Sequence, residues 1–111
     1  MNYRVEVTPD ALDAIRQHVR HIAVELRAPL NAERWLQRVW DAVDSLERFP
    51  RRCSLAPDNE QVTYEVRMQT VGDYLLLFTV DDETKTVWVL GFRHGSRLPR
   101  RGDLPSAPPA N

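Results

Sequence analysis

The run from Tyr64 to Arg97, YEVRMQTVGDYLLLFTVDDETKTVWVLGFRHGSR, decides the fold. At its start Val62, Tyr64, Val66 and Met68 alternate with Thr63, Glu65, Arg67 and Gln69. Successive side chains of an extended chain point to opposite sides, so this period of two predicts a strand with one buried and one polar face. Gly72-Asp73 has the length and composition of a two-residue hairpin connection. The next run, Tyr74-Leu75-Leu76-Leu77-Phe78-Thr79-Val80, is apolar on both faces and predicts a central strand. Asp81 to Lys85 forms a second polar turn, and Thr86 to Phe92 returns antiparallel, again apolar on both faces. The meander ends in Arg93-His94-Gly95-Ser96-Arg97, a basic cluster at its rim.

Outward from this meander, Asn2 to Val7 alternates and predicts a first strand. Thr8-Pro9-Asp10 then starts a helix: threonine caps it, proline fits the first helical position, and the acid favours the positive end of the dipole. Leu12, Ile15, Val19, Ile22 and Leu26 recur at helical spacing until Ala28-Pro29. Asn31 is placed to cap a second helix with the stripe Trp35, Leu36, Val39, Val43 and Leu46, closed by Phe49-Pro50. Arg51 to Gln61 has no periodicity and predicts a loop. The resulting order is βααβββ, an α+β fold in which an antiparallel sheet carries a two-helix hairpin on one face. Residues 1–97 make one domain, and the Pro-rich basic segment 98–111 is expected to be an extended or disordered tail.

With 111 residues, 42% hydrophobic and 28% charged, the chain is long enough for one modest core. The net charge of -1 argues against a protein that lives by gripping long nucleic acid, since phosphate neutralisation needs a positive excess. The charge is uneven, however: from Gly91 onward Arg93, Arg97, Arg100 and Arg101 face a single acid, Asp103. Cys53 is the only cysteine and has no partner for an internal disulfide. Met1 leads into an alternating segment rather than an apolar signal, and no stretch is long enough to span a bilayer. A cytoplasmic protein without membrane association is the expectation.

Strands apolar on both faces pose a problem, because the helices cover only one side. The other side needs the chain's own tail, a partner segment, or strong curling of the sheet. The residues expected there are Leu75, Leu77, Trp88, Leu90 and Phe92.

Five segments together resemble the RelE/ParE toxin superfamily of bacterial type II toxin–antitoxin systems. They are Tyr3-Arg4-Val5 with Thr8-Pro9-Asp10-Ala11, Leu46-Glu47-Arg48-Phe49-Pro50, Glu65-Val66-Arg67, Gly72-Asp73-Tyr74 and Arg93-His94-Gly95-Ser96-Arg97. No one segment is specific; their order and spacing over residues 2 to 97 carry the resemblance. It implies a small α+β toxin neutralised by a cognate antitoxin laid across the toxin, with Leu75, Leu77, Trp88, Leu90 and Phe92 as the antitoxin-binding surface.

The superfamily offers two mechanisms. RelE-like members resemble ribosome-dependent mRNA endonucleases, whose chemistry needs a base, an acid and a cation for the developing charge. Glu65, Arg67 and His94 would fill those roles. ParE-like members resemble inhibitors of DNA gyrase that are not themselves nucleases. Leu75 stands where many nuclease members place an arginine, Lys85 is the only lysine, and His94-Gly95-Ser96-Arg97 before a basic tail looks like the ParE-like branch, which is favoured. Target contacts are then expected from Arg67, Arg93, His94 and Arg97. A third reading is a decayed toxin that survives as an antitoxin-binding partner.

Blander roles compete at each position. Arg67 suits a surface ion pair, and His94 suits a turn. His18 and His21 with Glu25 lack the further ligand that completes a zinc site, so neither metal nor cofactor is expected. Trp35, Trp40 and Trp88 suit core or interface packing, and Cys53 has no nearby histidine base to make it a nucleophile.

Overall fold

The computed structural model describes residues 2–109. Strand β1 (Arg4–Val7) runs into Thr8, whose Oγ1 accepts the Ala11 amide at 3.3 Å and so opens helix α1 (Pro9–Arg20) with proline at its start. The last turn of this helical arm widens into a π-helix over His21–Glu25, with the Leu26 amide donating to the His21 carbonyl. That wider turn takes Leu26 off the apolar stripe, leaving it exposed beside Val24 and Leu30. Helix α2 (Pro29–Ser45) begins two residues before Asn31, at a cap (Ala28) with no side-chain hydrogen bond. The predicted Asn31 cap is thus displaced by Pro29, whose fixed φ suits the first helical turn.

Short β2 (Ser54–Leu55), β3 (Arg67–Val71), β4 (Tyr74–Asp81) and β5 (Thr86–His94) complete one sheet in the order β1-β5-β4-β3-β2. The fold is α+β as read from the sequence, with one refinement. β1 pairs parallel with β5, Arg4 opposite Thr86 and Val7 opposite Val89, so the sheet is mixed. The helical hairpin between β1 and the meander is long enough for the crossover that a parallel pair requires. Gly72 supplies φ +58 at the first position of the β3–β4 turn.

One irregularity decides which side chains share a face. The β4–β5 register slips so that Leu77 pairs with Gly91 but Phe78 with Val89, leaving Leu90 as an extra residue. Leu90 and Gly91 both turn away from the helices, and Phe92 returns to the helix side. There Phe78, Val87, Val89 and Phe92 pack with Ala11, Ile15, Val39, Val43 and Leu46. Phe92 was expected with Trp88 and Leu90 by simple alternation; the bulge shifts that parity and puts it in the other cluster.

The far side is filled by the chain itself. Ala56, Val66, Leu77, Leu90 and Leu104 form a second buried cluster, ringed by Val62, Tyr64, Met68, Leu75 and Trp88. The alternating Val62-to-Met68 run does keep one face inward, although it becomes a strand only at Arg67. Asn59 holds the preceding loop down. Its amide donates to the Ala56 and Val66 carbonyls at 2.6 and 2.7 Å, and its oxygen accepts the Val66 amide at 2.9 Å.

Candidate functional site

The β3–β4 hairpin, the end of β5 and the last turn of α1 meet at one end of the sheet. Tyr74 and His94 are register partners there, with ring centroids 4.9 Å apart edge to face. Tyr74 also stacks on Phe92 at 4.8 Å, and His18 lies 4.2 Å from Tyr74 and 4.4 Å from Trp35. The Gly95 amide donates to the Asp73 carbonyl at 2.8 Å, tying the turn after β5 to the hairpin. A Cβ at Gly95 would sit 3.1 Å from that carbonyl. Close approach, rather than a positive φ, is therefore what glycine provides here, as only Gly72 and Gly102 among the described glycines have positive φ.

His94 Nδ1 accepts the Ser96 amide at 3.0 Å and lies 2.7 Å from Ser96 Oγ. Assigned from this network, the neutral ring carries its proton on Nε2, the nitrogen left for a partner. Burial pushes the His18 imidazole below its usual pKa, and His21 and His94 push the same way. This end of the molecule therefore holds two histidines, His18 and His94, on an aromatic platform.

Arg93 belongs to the opposite face. The sequence placed it on an exposed rim; it is 4% exposed and clamps Asp58, itself 1% exposed, at 2.6 Å (Nη2 to Oδ1) and 3.3 Å (Nε to Oδ2). Its Nη1 donates to the Arg97 carbonyl at 2.6 Å and the His94 carbonyl at 3.3 Å. Each of its side-chain nitrogens thus has a partner within the fold, because alternation puts Arg93 on the far side from His94, where Asp58 lies. Arg97 does lie at the surface. Its Nη1 pairs with Asp103 at 3.1 Å, with side-chain exposures of 35% and 23%.

The expected acid–base set of Glu65, Arg67 and His94 is not assembled. Arg67 pairs with Phe78 in the sheet while His94 pairs with Tyr74. Those partners are four positions apart on β4, about 13 Å along the strand. Arg67 Nε binds Glu65 at 2.9 Å, and its Nη1 donates to the Cys53 carbonyl at 2.6 Å and the Arg51 carbonyl at 3.2 Å. Near this pair, Arg51 Nη2 meets Asp82 Oδ2 at 2.8 Å, and Tyr3 Oη donates to Asp82 Oδ1 at 2.8 Å. Arg51 first, then the Tyr3 hydroxyl, holds the Asp82 carboxyl below its usual pKa.

Of the expected antitoxin surface, Leu77 and Leu90 are 1% exposed beneath Leu104, while Leu75 and Trp88 are partly buried at its margin. His18 and His21 do not converge as ligands: His18 turns into the aromatic platform, and His21 Nδ1 pairs with Glu25 at 2.5 Å. Cys53 is buried with its thiol 3.2 Å from Gln69 Oε1, and burial raises its pKa. Sequence reasoning missed Asp58 and the joining of His18 to His94, since nothing in local pattern links positions so far apart. Leu104, an aliphatic residue set between Asp103 and Pro105 in a polar tail, is the local signal of a docked segment.

The fold is that of a small α+β domain, a mixed five-stranded sheet with a helical hairpin on one face. The family model described as the ParE toxin of the type II toxin–antitoxin system, parDE, matches residues 5–99, and the chain belongs to that family. Sequence comparison with curated proteins gives no significant match. Among solved structures, a chain of the chromosomal ParDE system from P. aeruginosa superposes with TM-score 0.65 at 18% identity, covering 83% of this chain and 95% of that one. A chain of the RelBE2 toxin–antitoxin complex from Mycobacterium tuberculosis gives 0.59 at 25% identity, over 85% and 99%. A chain of the archaeal RelE-RelB complex from Pyrococcus horikoshii gives 0.57 at 17% identity, over 88% and 100%.

Proposed function

We propose that this toxin acts in the ParE-like manner, by inhibiting DNA gyrase, and that a cognate antitoxin neutralises it. The observation that carries the reading is the dispersal of the nuclease set. Acid–base chemistry on a ribose 2′-hydroxyl requires its groups within hydrogen-bond reach of one another or of the substrate. Here Glu65 and Arg67 are tied together, with Arg67 also bound to two carbonyls, and His94 lies at the other end of β4.

Within this reading the target surface is the end of the sheet that carries His94 and Arg97, with Tyr74 and His18 as its platform. Arg67 and Arg93 are assigned to the fold. Purified toxin is expected to hold gyrase on cleaved plasmid DNA while leaving ribosome-bound mRNA intact. Arg97→Ala and His94→Gln should lose growth arrest while still folding and still binding antitoxin. Codon-position cleavage of mRNA, abolished by Glu65→Gln, would overturn the proposal. Absence of growth arrest from the wild-type chain expressed without antitoxin would point instead to a decayed toxin.

A further inference from the structure

The fold uses its arginines unevenly. In the sheet and the loops beside it, Arg51, Arg67, Arg93 and Arg97 each meet a carboxylate, at 2.8, 2.9, 2.6 and 3.1 Å. On the helical hairpin, Arg16, Arg20, Arg27, Arg34 and Arg38 are all exposed, and none of their side chains has a hydrogen-bond or ion-pair partner among the described residues. Residues 16–38 set these five arginines against two glutamates, Glu25 and Glu33, of which Glu25 is already held by His21. The hairpin is thus locally basic, at +3, in a chain whose total charge is -1.

At its tip the hairpin combines backbone strain with apolar exposure. The Ala28 amide donates to the Ile22 carbonyl at 3.1 Å, closing a wide turn in which Arg27 takes φ +50. Glycine adopts that conformation most readily at a helix end, yet an arginine stands there. Val24, Leu26 and Leu30 around it are 64%, 60% and 67% exposed. Arg20 shares a hollow with Val24 at the π-turn, and Arg34 lies one helical turn on from Leu30. Three aliphatic side chains are therefore ringed by three unpaired guanidinium groups. The tip follows directly from His18, so it stands at the end of the sheet that carries Tyr74 and His94. Arg38, about 14 Å back along α2 from Pro29, continues the row to the β3–β4 turn, where a Cβ on Gly72 would lie 3.6 Å from its Nη2.

We propose that the hairpin binds duplex DNA directly, with Arg20, Arg27, Arg34 and Arg38 on backbone phosphates and Val24, Leu26 and Leu30 set into the groove between them. Guanidinium forks match phosphate oxygens, and unpaired arginines gain the full release of counterions from the duplex, which arginines already paired with carboxylates do not. Exposed aliphatic side chains between basic ones suit DNA, since apolar wedges are how proteins part base steps at a groove. A bilayer also offers phosphates, but it would meet an apolar point at the tip; the row that runs on to Arg38 is a line, which fits a backbone. The setting rests on the gyrase reading, because gyrase is where this toxin would meet a held and cleaved duplex. The hairpin then gives the toxin its own grip on that DNA, beside the His94 and Arg97 surface.

The probe is a labelled DNA duplex of about 20 base pairs, read by fluorescence anisotropy with the full-length chain and no gyrase. Four phosphate contacts predict a slope of log affinity against log salt of about -3.6, roughly a hundredfold loss between about 50 and 200 mM salt. Arg27→Gly removes one charge while easing the backbone at φ +50, and should shrink the slope by about 1. Arg20→Gln, Arg34→Gln and Arg38→Gln together should remove most of it, and Leu26→Ser should weaken binding with the slope kept. Arg48→Gln makes the same change of charge on an exposed residue past the opposite end of α2 and should leave the slope alone. If circular dichroism shows the triple variant unfolded, Arg27→Gly against Arg48→Gln carries the comparison. No duplex binding at about 50 mM salt, an Arg48→Gln effect equal to that of Arg27→Gly, or tighter binding to duplex RNA or to anionic phospholipid vesicles than to DNA overturns the proposal. Gyrase trapping by a chain that binds no duplex overturns it and spares the gyrase reading; duplex binding without trapping does the reverse.

Discussion

Replacing Arg93 by methionine keeps an unbranched side chain of similar length and removes the charge, which leaves the Asp58 carboxylate buried at 1% exposure with neither of its guanidinium contacts. Breaking a buried pair from one side costs about 3–5 kcal/mol, because the remaining charge loses its partner without regaining water. For a domain whose whole stability is of order 5–15 kcal/mol, that is a large fraction. Each kcal/mol moves the melting temperature of a domain near this size by roughly 4 °C, so Arg93→Met should lower Tm by about 10–20 °C. Arg97→Ala makes a useful contrast: its pair with Asp103 is partly solvated, at 35% and 23% exposure, and exposed pairs contribute under about 1 kcal/mol. Thermal unfolding followed by circular dichroism reads both. The double variant Arg93→Met, Asp58→Leu should recover part of the loss, since an apolar pair of similar volume leaves no buried charge behind. A Tm for Arg93→Met within a degree or two of wild type, together with lost toxicity, would return Arg93 to the target surface and refute this reasoning.

Leu104→Ala should cost about 2–3 kcal/mol in denaturant unfolding, toward the lower end for a buried leucine because the surrounding tail is free to settle into the space; no measurable loss would mean the tail is not docked in solution. His18 has a folded pKa below its unfolded value, so the unfolded chain takes up the proton first as pH falls. Its contribution is present above about pH 6.5 and is lost as pH drops through the lowered folded pKa. His18→Phe should therefore flatten the stability–pH curve between pH 7 and pH 5, and an unchanged slope would show that His18 is not desolvated. Cys53, buried and with its pKa raised, should react with a thiol-disulfide reagent far more slowly in the native chain than in guanidinium; equal rates would contradict its burial.

The sequence by itself determined what local pattern encodes. Thr8-Pro9 set the start of α1, Gly72-Asp73 set the hairpin, and the two-sided apolar runs identified β4 and β5 as central strands, because caps, turns and periodicity act over a few residues. The tertiary structure decided which face each side chain occupies and what it meets. Leu90, the extra residue of the bulge, moved Phe92 to the helix side and left Arg93 pointing at Asp58, 35 positions away in the chain. The same geometry separated His94 from Glu65 and Arg67 and joined it instead to Tyr74 and His18. An alternating pattern carries parity only as far as the next bulge, and a buried ion pair requires two positions to arrive at one point in space, which no local spacing records.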